Sequence, residues 1–179
     1  MALAEIGDRT QILSLMLAAH YRRPWPVLAG ILCATLANHF IAGLLGVYLG
    51  RFLTPRLLDG IVGASLLGMA LWALRPDSLA LAASETQRRG AFVASLVAFF
   101  IAEIGDKTQV ATVALAAAYA HLVPVVAGTT AGMLLANAPV VFLGNAFSKR
   151  LPLAPIRYLA SALFLILGAV FIGRALRFP

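Results

Sequence analysis

One octamer occurs twice in this chain with a single change. Ala4-Glu5-Ile6-Gly7-Asp8-Arg9-Thr10-Gln11 returns as Ala102-Glu103-Ile104-Gly105-Asp106-Lys107-Thr108-Gln109. The two copies hold four of the chain's seven acidic residues, set in its most apolar stretches. A carboxylate at the bilayer centre costs about 2.5–3.5 kcal/mol on the mildest scale and usually marks an ion or proton path. Glu and Asp at i and i+3 of a helix share a face, so each copy is expected to offer converging oxygens. Brought together, the copies place Glu5, Asp8, Glu103 and Asp106 around one point. Four close carboxylates repel one another, and protons, basic partners or a bound cation relieve that. Arg9 and Lys107, each beside an Asp, supply two positive charges. The remaining two negative charges match one divalent cation. Without metal, protons take over on the same oxygens, and this competition is the physical basis of antiport.

The neutral donors are Thr10, Thr108, Gln11 and Gln109, with Asn38 and Asn137 further along each half. No Cys, Met or His lies inside either octamer, and a hard-oxygen set suits Ca²⁺, Mn²⁺ and Mg²⁺ rather than Cu⁺ or thiolate-bound zinc. Gly7 and Gly105, between the acids, are expected to unwind the helix and expose carbonyls. Plainer readings stand beside these. Glu5–Arg9 and Glu103–Lys107 are i, i+4 pairs that form structural salt bridges, although Asp8 and Asp106 would then stay uncompensated. Asn38 and Asn137 also read as interhelical hydrogen-bond glue, and Thr10 and Thr108 as back-bonded to their own helices. His39 reads as packed or pore-lining, His20 and His121 as interfacial, Cys33 and Met16 as packing.

The elements that position these residues follow from composition. The 179 residues are 61% hydrophobic and 12% charged, with a mean hydropathy of +0.92. A soluble domain carries about 25% charged residues, and a spanning helix needs about 20 apolar ones. The expectation is therefore an all-α integral membrane protein, because lipid forbids open sheet edges. Pro and Arg mark breaks that leave six spans, near residues 1–20, 26–50, 57–74, 90–120, 124–147 and 156–175. Ala4–Tyr21 matches Ala102–Tyr119 at 11 of 18 positions without a gap, 98 residues apart. That is an internal duplication. Residues 1–74 form one three-helix repeat, 75–89 a polar cytoplasmic linker, and 90–179 the second repeat. Three spans per repeat make the second copy inverted, which places a site near mid-membrane between them. Basic residues number eight on the side of the odd connections and four on the other, so both termini are expected outside. Glu103 follows thirteen residues of its span, Gly90 to Ala102, but Glu5 follows only four, so the first helix is short by about nine residues, ~14 Å, and is expected to begin earlier in the natural chain.

The formal charge of +7 does not point to nucleic acid, since the basic residues lie dispersed in short connections. No His-Glu-x-x-His and no Ser–His pairing suggests an enzyme. Another cationic substrate, such as a basic amino acid, and a non-transporting assembly factor are the alternatives. Oligomeric state is left open, a homo-oligomer among the options.

Both octamers fit Glu-x-Gly-Asp-(Lys/Arg)-(Thr/Ser), and the chain resembles throughout the Golgi, chloroplast and bacterial family of Ca²⁺/Mn²⁺:H⁺ exchangers that bears this signature twice. The resemblance implies a secondary transporter with no prosthetic group, whose ion is carried by Glu5, Asp8, Glu103 and Asp106. Lacking a targeting extension, the chain looks most like a bacterial member that exports Mn²⁺ across the plasma membrane.

Overall fold

The computed structural model describes residues 1–74, 90–143 and 153–177. The expected linker at 75–89, with Arg75, Arg88 and Arg89, lies outside the described residues, as do Lys149, Arg150 and the Arg157 side chain. The described residues are helical and contain no strand. In chain order the helices are α1 (Ala2–Glu5), α2 (Arg9–Tyr21), α3 (Pro24–Gly50), α4 (Pro55–Ala73), α5 (Ala91–Glu103), α6 (Lys107–Tyr119), α7 (Leu122–Leu143) and α8 (Leu153–Arg177). Four stretches are long and apolar enough to cross a membrane: α3, α4, α7 and Tyr158–Arg177 of α8. Large apolar side chains such as Ile41, Leu71, Leu135 and Ile166 face outward from them. A surface of this kind requires hydrocarbon around it. The chain is a multi-pass membrane protein.

Helix ends follow local chemistry. Pro24 and Pro55 open α3 and α4 from the first turn, where a missing N–H costs nothing. Arg22 and Ala120, 98 positions apart, close α2 and α6 in the left-handed conformation with φ of 51° and 54°. Their N–H groups donate to the carbonyls of Ala18 and Ala116, a C-terminal cap that satisfies an otherwise orphaned acceptor.

The packing crosses between the two halves of the chain. Helix α3 lies along α5 and α6, and its contacts climb with theirs. Gly30 sits against Ser95, Asn38 reaches Glu103, and Gly46 meets Ala116. Helix α7 lies along α1 and α2 in the same manner, with Gly132 against Met1, Ala136 receiving Gln11, and Asn137 receiving Ser14. Helices α4 and α8 pack on each other through Val62, Leu66, Met69, Phe164 and Phe171. Gly63 and Gly168 bring their backbones close, as small residues do in membrane bundles.

Gly30 gives a direct test of this packing. A Cβ there would lie 2.5 Å from the Phe92 carbonyl oxygen and 2.9 Å from the Leu96 nitrogen, both rigid backbone atoms. Gly30→Ala is expected to cost about 1–3 kcal/mol by overpacking, read as a lower Tm in detergent. Gly68→Ala, where nothing lies within 4 Å, is the control and should leave Tm unchanged or raised.

Candidate functional site

Each octamer folds as a turn between two half-helices rather than as one helix face. Ile6 has φ −69° and ψ 120°, Gly7 has φ 82°, and the Asp8 N–H donates to the Glu5 carbonyl at 3.1 Å. The second copy repeats this: Ile104 at −62° and 120°, Gly105 at 74°, and Asp106 N–H to Glu103 carbonyl at 3.1 Å. These values define a type II β-turn, which demands a positive φ at its third residue and hence glycine. Gln11 and Gln109 accept the glycine N–H groups through Oε1 at 2.8 and 2.7 Å. Gln11 also donates to the Ala136 carbonyl at 3.0 Å. These contacts brace the turns.

Gly105 separates backbone strain from crowding, because an added Cβ there has nothing within 4 Å. Gly105→Ala should still destabilise by about 1–2 kcal/mol through the positive φ alone. Gly105→Asn should be milder, since Asn tolerates that region. Thermal unfolding of the two variants in detergent checks the order.

The turn brings Glu and Asp together at the junction of the half-helices. Asp8 and Asp106 occupy the N-cap positions of α2 and α6, but neither carboxylate caps its helix. Both acids therefore sit at positive helix ends, which favour anionic charge, with their oxygens turned inward. Glu5, Asp8 and Asp106 each offer an oxygen within 4.8 Å of the others, and all three are buried. Glu103 is not part of this close group. Its carboxylate accepts from Thr35 Oγ1 at 2.5 Å and from Asn38 Nδ2 at 3.3 Å. Glu5 differs: Oε2 accepts from Thr10 Oγ1 at 2.8 Å, while buried Oε1 has no hydrogen-bond partner. Thr10 also reaches Asp8 Oδ2 at 3.5 Å, and Thr108 donates to Asp106 Oδ2 at 3.2 Å.

The basic residues pair across the halves, which corrects the local i, i+4 reading. Lys107 Nζ donates to Asp8 Oδ1 at 2.7 Å, and Arg9 Nη2 donates to Asp106 Oδ1 at 3.2 Å. The reason is the turn: it ends the helix between Glu and the base, so neither Glu5–Arg9 nor Glu103–Lys107 lies on continuous helix. The two pairs differ in enclosure. The Lys107 side chain is 5% exposed and that of Arg9 35%.

Asn38 donates to Glu103 and to the Phe100 carbonyl. Asn137 instead accepts from Ser14 and donates to the Met133 carbonyl at 3.0 Å, so it serves the α2–α7 contact. His39 is buried beside Thr130 at 3.4 Å, in keeping with a packed residue. Thr35 and Ser14 were not singled out from sequence. Thr35 carried a usable signal, one turn before Asn38 on the same helix.

Buried acids at helix breaks, enclosed by membrane-length helices, are the build of a secondary ion carrier. Comparison with known proteins carries this further. The family model described as divalent cation/proton antiporter GDT1 matches residues 1–80 and 91–177. The chain belongs to that family, and its activity is exchange of a divalent cation for protons. It is 51% identical over 169 residues to a Vibrio cholerae protein named "Putative manganese exporter", covering 94% of this chain and 84% of that one. A GDT1-like protein of Synechocystis is 31% identical over 138 residues, 65% of this chain and 66% of that protein. No solved structure matches the chain.

Proposed function

We propose that this protein exports Mn²⁺ across a bacterial inner membrane in exchange for entering protons, with Glu5, Asp8 and Asp106 holding the ion. The observation that carries the reading is the gathering of these three buried carboxylates within 4.8 Å, where Glu5 keeps one buried oxygen unpartnered. Hard oxygen ligands at this spacing suit Mn²⁺ or Ca²⁺, and the name of the Vibrio cholerae relative favours manganese. Glu103, held aside by Thr35 and Asn38, joins the set when the halves rearrange. Thr10 and Thr108 orient the acids, Gln11 and Gln109 brace the turns at Gly7 and Gly105, and Asn38 holds Glu103.

The architecture proposed is six spans, with α1–α2 and α5–α6 each forming one broken span. Residues 1–74 and 90–179 are the two repeats, inverted relative to each other and joined by a cytoplasmic linker at 75–89. Support comes from left-handed backbone at Gly7 and Arg22 that recurs 98 residues later at Gly105 and Ala120, and from the reciprocal packing of α3 and α7. The excess of basic residues on the odd connections places both termini outside.

Purified protein in vesicles tests the function. An imposed pH gradient should drive Mn²⁺ uphill, and Mn²⁺ movement should in turn shift internal pH. Manganese flux indifferent to the gradient, or no flux, would refute the proposal.

A further inference from the structure

Asp8 and Asp106 each belong to the close acid group and each carry a base from the opposite half on Oδ1. A divalent cation needs carboxylate oxygens at about 2.1–2.6 Å, and an ion held by Asp8 would have the Lys107 ammonium, 2.7 Å from Oδ1, beside it as a like charge. Ion and base on one carboxylate repel each other as like charges and compete for its single negative charge. We infer that Lys107 and Arg9 are tethered cations that trade places with the transported ion. They move off Asp8 and Asp106 as it binds and return as it leaves. This deepens the proposed exchange and rests on it.

Two structural features support the inference. Both pairs bridge the halves, Asp8 to Lys107 over 99 positions and Arg9 to Asp106 over 97, so displacing the bases also removes two of the ties between the halves. The bases also differ in freedom. The Arg9 side chain is 35% exposed, although its Nε is buried, while that of Lys107 is 5% exposed and enclosed by its surroundings. Arg9 therefore yields at ion entry, and Lys107 yields with the conformational change. On the return step both bases neutralise the Asp carboxylates, a task that would otherwise fall to additional protons. Arg9 and Lys107 are positioning residues in this scheme, since neither touches the ion.

Net transport needs the return step, whereas exchange of labelled for unlabelled Mn²⁺ at equal concentrations does not. In vesicles, Lys107→Gln should raise the ratio of Mn²⁺–Mn²⁺ exchange to pH-driven net flux by about tenfold or more. Lys107→Arg, which copies the first octamer's own base, should stay near wild type. Arg9→Gln, at the more open pair, is the second variant and should shift the ratio in the same direction even if Lys107→Gln fails to fold. An unchanged ratio in a folded variant would overturn the inference, because protons alone would then serve the return. Equal loss of both fluxes would overturn it too, reducing the bases to braces. Wild-type vesicles showing neither flux would instead remove the proposed function, and the inference with it.

Discussion

Glu5→Gln is expected to weaken Mn²⁺ binding about a hundredfold and to abolish measurable proton-driven transport. Glu5 is the member of the acid group with a buried, unpartnered oxygen, and its other oxygen is set by Thr10. The substitution preserves shape and the Thr10 contact but removes a full charge from a desolvated site. Losing one partner of a buried charge contact costs about 2–5 kcal/mol, and about 2.7 kcal/mol corresponds to a hundredfold. The amide also has no proton to exchange. Glu103→Gln should weaken binding less, by about tenfold or under, because Glu103 stands outside the close group with Thr35 and Asn38 on its oxygens. Metal-dependent thermal stabilisation of both variants, alongside vesicle flux, measures the contrast. Normal Mn²⁺ transport by Glu5→Gln would remove the acid group from the mechanism.

Asp8→Asn should act on stability as well as transport. Asp8 holds the enclosed ammonium of Lys107 at 2.7 Å. Removing one member of a buried ion pair costs about 3–5 kcal/mol, whereas replacing both by apolar groups is often neutral. Asp8→Asn is therefore expected to lower Tm by many degrees, and the double variant Asp8→Asn with Lys107→Met to recover most of that loss. Transport should stay absent in both, since the acid is gone. The mirror variant Asp106→Asn leaves a base that reaches open space and should cost visibly less stability. Equal Tm losses at the two aspartates would contradict the difference in enclosure.

Much of this could be read before any coordinates. The repeated octamer marked Gly7 and Gly105 as breaks in a helix, and the long apolar stretches located α3, α4, α7 and α8. The acids were visible because a carboxylate in lipid is too costly to be incidental. What escaped was set by non-local geometry or by a local signal read with the wrong period. Spacing of i, i+3 puts Glu and Asp on one helix face and the glycine between them signals an unwound helix, but glycine in third place of Glu-Ile-Gly-Asp is also the mark of a type II turn. Once the turn replaces the helix, the local Glu–base pairing goes with it, and no rule of spacing predicts that Lys107 meets Asp8. The roles of Asn38 and Asn137 diverged for a similar reason. The two occupy matching places in sequence, but Thr35 and Ser14, which decide what each can reach, have no such match in hydrogen bonding.

The reciprocal packing also sets a problem for synthesis. Asp8 is made 99 residues before Lys107, an interval of about 5 to 20 seconds at about 5–20 residues per second. Through most of that interval α2 and α3 have no α5, α6 or α7 to lie against, and an aspartate and an arginine wait in the nascent chain without their partners. The first three helices cannot mature as a unit and must be tolerated half-built until the second octamer emerges. An insertase or chaperone that shelters polar residues at the membrane would act in this window, and its absence should strand the early helices for proteolysis while later stages of assembly need no help.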